Sequence, residues 1–186
     1  RASGYAMRGL DVAHPRMTAG LQAEPKLAVQ MASKEDVPLL YWSAAATGAW
    51  IGLSKDNPAA VARQPLVEAL IDRALELDES WDDGTIHSFL ISYEMVRVNG
   101  SGDPAARART HFDRAIALSH GQQAAPYVAL AEAVAVSKQD RAEFESLLGK
   151  ALAIDVDADP ERRLANIVMQ RRARWLLSRT DQLFAE

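Results

Sequence analysis

Apolar residues recur at spacings of three and four along nearly the whole chain, and no long stretch alternates with period two. That spacing is the mark of helices packed on one another, so the expected fold class is all-α. Helices are predicted at roughly 18–33, 38–55, 58–78, 84–99, 104–119, 124–137, 140–154 and 160–184. Three of the joints between them, KDNPAA (55–60), NGSGDPAA (99–106) and SKQDRAE (137–143), place Asn or Asp just ahead of a new helix. A side chain of that kind accepts a free backbone N–H at the helix start, and a following proline has no N–H to leave unsatisfied.

The joints repeat together with the helices beside them. IDRALELDES (71–80), FDRAIALSHG (112–121) and LGKALAIDVD (148–157) align without gaps and superpose Ala74, Ala115 and Ala151, at intervals of 41 and 36 residues. A tetratricopeptide repeat has a period near 34 and places small residues where two helices must approach closely. Ala108, Phe112 and Ala115 follow its second-helix pattern, while Val67 with Ile71 and Phe144 with Leu148 replace part of it. The expected architecture is a single helical-repeat domain over 1–186: N-terminal helices within 1–37, then antiparallel pairs at 38–80, 84–120 and 124–155 stacked as degenerate tetratricopeptide-like repeats, then a long C-terminal helix at 160–184.

DVDADPERRL (155–164) opens like a calcium loop, with aspartates at alternate positions. Counted from Asp155, however, Pro160 falls where the loop must turn left-handed and Asn166 where a bidentate glutamate must close the site. Asp159 before Pro160 and Glu161 reads instead as a helix start. LDESWDDG (77–84) fails the same test, and no metal site is expected.

Composition then narrows the function. The chain has 186 residues, 48% hydrophobic, with net charge −4 and no cysteine. That is ample for a folded core, and it excludes disulfides, thiolate chemistry and nucleic-acid binding by a general basic surplus. The chain begins at Arg1 and not at methionine, which reads as a processed form lacking a signal peptide and its lipid-bearing cysteine.

Specific stretches then carry a resemblance. From Arg8-Gly9-Leu10 and His14-Pro15, through YWSAAATGAWIGLSKDNP, HFDRAIALS and AEAVAVSKQDRAEFESLLGKALAID, to PERRLANIVMQRRARWLLSRTDQLF, the chain resembles the T component of tetratricopeptide-associated TRAP transporters. The resemblance implies a periplasmic protein, lipid-anchored in its full-length form and in contact with the membrane only through that anchor. It also implies association with the solute-binding P component, a trimer with a passage through each subunit, and handling of an apolar or organic-acid ligand. The other reading of the same helices is a general tetratricopeptide-like interaction scaffold unrelated to transport, and a third is a small-molecule carrier acting alone.

An enzyme is not expected, and no catalytic residue or cofactor is assigned. The chain lacks GxSxG, HExxH and Gly-rich phosphate loops, and His14, His87, His111 and His120 lie far apart in sequence. Three features carry candidate binding. Val37 to Ser54 contains no charge; on a helix Trp42, Ala46, Ala49, Trp50 and Leu53 share one face, with Gly48 and Gly52 on a shallow strip elsewhere. These residues form either core or the lining of an apolar cavity. Arg171 falls among Leu164, Ile167, Val168 and Trp175, a stripe expected to face inward, so it should meet a carboxylate, a helix end or a ligand anion. The candidate ligand-binding residues are thus Trp42, Gly48, Trp50, Gly52 and Arg171, with no partner-binding residue assigned. Lastly, residues 66–94 carry eight acids against Arg73, a net of −7, and 161–179 carry six arginines against Glu161, a net of +5. Such asymmetry can steer a partner or simply mark solvated faces.

Overall fold

A computed structural model of the chain describes residues 2–98 and 100–184. Every regular element among them is helical, as the three-and-four spacing predicts. The chain divides into two compact units, Arg1–Trp81 and Asp82–Glu186.

The first unit begins with α1 (Ala2–Ala13), a helix within the predicted N-terminal segment whose bounds the periodicity did not resolve. The predicted helix 18–33 is divided into α2 (Met17–Ala23), α3 (Pro25–Ala28) and a 3-10 turn at Val29–Met31. Pro25 has no N–H with which to continue α2, and Glu24 before it takes φ −137°, ψ 80°, as the residue preceding a proline tends to do. α4 (Val37–Leu53) packs on α1 and on α6 (Gln64–Leu77), while Pro58–Val61 forms the short α5. Leu10, Met17, Leu21, Leu40, Val67, Leu70 and Ile71 fill the space between these helices and are buried. Asn57 caps α5 through its carbonyl, which accepts the Ala59 N–H at 3.0 Å.

The second unit opens with Asp82, Asp83 and Gly84 at positive φ (49°, 50° and 88°). These precede α7 (Thr85–Glu94), which packs on α8 (Pro104–Leu118). That first helix ends at Glu94, short of the predicted 84–99, because the chain turns over 95–98; Asn99 itself lies outside the described residues. α9 (Ala124–Leu130) loosens into a π turn at Ala131–Ala135 and packs on α10 (Arg141–Ala153); α11 (Arg163–Leu177) lies on both. Asp103 and Asp140 cap α8 and α10, where the joints placed them. Ala108, Ala115, Phe144, Leu148 and Ala151 are fully buried. Phe144 meets Phe184 edge to face, their centroids 5.0 Å apart.

The C-terminal helix is shorter than predicted at both ends. Asp159 accepts the Glu161 N–H and pairs with Arg162, so its capping acts on a turn, and helical geometry starts only at Arg163. At the far end Ser178 and Thr180 donate their hydroxyls to the carbonyls of Trp175 and Leu177. Side-chain bonds of this kind compete with the helical ladder, and the short α12 (Thr180–Leu183) follows.

Candidate functional site

α4 is apolar around its whole circumference, so it cannot bury every side against two neighbours. Val37, Leu40, Ser43, Ala44 and Thr47 point inward, and the Thr47 hydroxyl lies 3.1 Å from that of Ser3 on α1. The tryptophan face points outward: Trp42 is 59%, Trp50 40% and Leu53 90% exposed. This face is therefore not core in the unit as it stands. Both rings are nonetheless held, Trp42 edge-on to Tyr41 at 5.2 Å and Trp50 beneath the Arg63 guanidinium at 5.6 Å. Gly52 is exposed with open space where a side chain would stand, and Gly48 is half-buried. A separate apolar groove of about 590 Å³, rimmed by the exposed Leu27 and Met31, is lined by none of the predicted residues.

The expected inward stripe of α11 also faces out, save for the half-buried Ile167. Leu164 is 75%, Val168 47% and Trp175 43% exposed, and Arg171 between them is exposed too. Arg171 makes no ion pair among the described residues, so the expected internal partner is not there. The face that α11 buries consists of Asn166, Gln170, Ala173 and Leu176. The two amides bond to backbone. Asn166 accepts the Ala124 N–H and donates to the Gln122 carbonyl, both at 2.9 Å. Gln170 donates to the carbonyls of Ala151, Leu152 and Ile154 at 3.1, 3.3 and 2.8 Å. Those carbonyls lie in the last turn of α10 and just past it, where the helical ladder supplies no donor. Small residues and amides thus win the inner face because they let α11 approach closely and satisfy its neighbour's end.

On the outer face the Arg172 and Arg179 guanidiniums lie 4.3 and 4.5 Å from the Trp175 ring centre. The basic surplus of this segment is partly neutralised nearby, since Arg172 pairs with Glu132, Arg163 with Asp157, and Arg162 with Asp83 and Asp159. The acidic segment is not uniformly solvated either. Glu94 is buried between Arg97 and Arg107, and Arg107 also donates to the carbonyls of Ser101 and Gly102, clamping the α7–α8 loop.

Two histidines distant in sequence come together. His87 on α7 and His111 on α8 approach with their Nδ1 atoms 2.9 Å apart, so one ring donates and the other accepts. Sequence spacing gave no signal for this pair, which depends on how the two helices cross. His14 engages Asp36 at 2.7 Å, and Asp36 also closes a capping box with Ser33. Burial alone would raise the Asp36 carboxyl, but the Ser33 N–H, the His14 ring and the Ser33 hydroxyl outweigh it and hold the group below its ordinary value. Among the described residues no three His, Cys, Asp or Glu side chains are grouped to hold a metal ion, and no helix is long and apolar enough to cross a membrane.

The geometry therefore defines an all-α protein that presents fixed aromatic and cationic surfaces. The family model of the TRAP transporter T-component matches residues 1–184, and the chain belongs to that family, an accessory component of TRAP transport. It is also 25% identical over 190 residues to an uncharacterized protein of Treponema pallidum (strain Nichols), a match that covers all of this chain and 59% of the relative. The chain thus spans somewhat more than half the length of that relative.

Proposed function

We propose that the chain is a non-enzymatic periplasmic accessory component of a TRAP transporter, lipid-anchored in its full-length form. In this reading it binds the solute-binding P component, assembles with copies of itself as a trimer and forms a passage for an apolar or organic-acid ligand. Its helix pairs act as degenerate tetratricopeptide-like repeats within one domain.

The observation that supports assembly is the outer face of α4. A helix apolar all round is ordinarily enclosed, and exposed aromatic patches favour association; here Trp42, Trp50 and Leu53 stay open in the isolated chain. Gly48 and Gly52 would then admit another backbone or a ligand beside that face. Arg171, with no ion pair among the described residues, would meet an anionic group of the ligand or partner.

Sedimentation velocity of the protein alone, and then mixed with the P-type solute-binding protein encoded nearest to it, tests this function. A trimer-sized boundary that shifts on mixing, and that Trp42→Ala with Trp50→Ala returns toward the monomer, is the expected result. A monomer indifferent to the P component would sink the transport assembly and leave the scaffold and the lone-carrier readings.

A further inference from the structure

One end of the first unit holds two arginines beside an open cavity. A cavity of about 310 Å³ opens between α1, α2 and the start of α6, with Arg8 on one wall and Arg63 on another. Neither arginine makes an ion pair among the described residues. Each is steadied by a ring instead: Arg8 lies 4.3 Å from the Tyr5 centroid and Arg63 5.6 Å from that of Trp50. A cation over a ring is held through its face, so the in-plane N–H donors that grip an oxyanion stay free.

The rest of the lining narrows what fits. Asp11 is the one carboxylate on the wall, and its Oδ1 already accepts the Thr18 N–H at 2.8 Å. Two guanidiniums against one carboxylate leave a net charge of +1, which suits a monoanion. Met7, Leu21 and Leu66 supply an apolar floor, and the latter two are buried. The volume is near the lower limit of small-molecule sites, which run from roughly 300 to 1,000 Å³. The walls are also fixed, since Thr18 donates its hydroxyl to the Met7 carbonyl at 3.2 Å and so clasps α2 to α1.

We propose that this cavity binds a small monocarboxylate, its head between Arg8 and Arg63 and its short apolar tail on Met7, Leu21 and Leu66. The assignment deepens the ligand-handling part of the proposed function and rests on it. A phosphate would satisfy the same cations but leave the apolar floor unused.

Calorimetric titration of the intact chain with hexanoate, hexanol and inorganic phosphate distinguishes these. Hexanoate should bind saturably and at least roughly tenfold more tightly than hexanol or phosphate, because a charged head paired with guanidinium forks is the stronger contact. Arg8→Gln and Arg63→Gln should each weaken hexanoate about tenfold while leaving the melting temperature unchanged, since both side chains are exposed. Arg63→Lys, which keeps the charge but not the fork, should fall between. Amide shifts on hexanoate addition should centre on Met7, Gln22 and Leu66. Equal affinity for hexanol, displacement by equimolar phosphate, or undiminished binding by both glutamine variants would overturn the assignment. Failure of hexanoate with the P component still co-sedimenting sinks this pocket alone; hexanoate binding without co-sedimentation keeps the pocket and sinks the transport assembly.

Discussion

Gln170 and Arg171 are adjacent on α11 and give opposite predictions. Gln170 is 6% exposed, and its amide nitrogen serves three carbonyls at the end of α10. Substituting Gln170→Leu keeps the bulk and removes both N–H donors. The bond to Ala151 is buried, so its carbonyl would lose its donor outright, while water can partly replace the donor at Leu152 and Ile154. An unsatisfied buried acceptor costs about 1–3 kcal/mol. One full loss and two partial ones, offset by about 1 kcal/mol from the added apolar burial, leave roughly 2 kcal/mol of destabilisation. Arg171→Ala touches an exposed side chain that makes no ion pair among the described residues, and it should change stability by less than about 0.5 kcal/mol. Urea unfolding followed by circular dichroism measures both, with an unchanged slope showing that the change is one of stability. If Arg171→Ala cost more than Gln170→Leu, or Gln170→Leu cost under about 0.5 kcal/mol, the assignment of the inner face of α11 would be wrong.

Three further outcomes follow from buried charge, titration and backbone geometry. Glu94→Gln leaves Arg97 and Arg107 without their shared carboxylate, whose side chain is 5% exposed; breaking a buried pair at one end should cost about 2–3 kcal/mol in the same urea assay. Asp36 is depressed in the folded chain, so its stabilising effect is present above its ordinary pKa of about 3.9 and is lost as pH falls through the lower folded value. His14→Ala should move the Asp36 carboxyl midpoint upward by carbon-13 NMR, and an unmoved midpoint would remove His14 from the account. Gly84 combines φ +88° with a position where an added Cβ would stand 3.1 Å from Leu118 and 3.4 Å from the Ala115 backbone. Gly84→Ala should therefore lower stability by about 1–3 kcal/mol, and a thermal scan showing no loss would refute the close approach.

The inversion of α11 shows where reading the sequence stops. Helical class and most joints follow from local chemistry: Asn57, Asp103 and Asp140 cap the helices they precede, and such bonds need only a few neighbouring residues. Which side of a helix faces inward depends on its neighbours as well. Leu164, Val168 and Trp175 form the more hydrophobic stripe of α11, yet Asn166, Gln170 and Ala173 are buried because the end of α10 and the Gln122–Ala124 turn present carbonyls and an N–H there. Periodicity identifies an amphipathic helix, but hydrophobicity alone picks the wrong face when a neighbouring backbone needs polar partners. α4 poses the complementary problem, for a helix apolar on every side carries no signal of which side its own chain will cover. The pairing of His87 with His111 was hidden for the same reason, since it depends on one helix crossing. In both α4 and α11 large apolar residues stand on the outside of the helix's own unit. This mismatch between hydrophobicity and burial is the observation from which the proposed assembly is argued, and sedimentation of the tryptophan variants is what tests it.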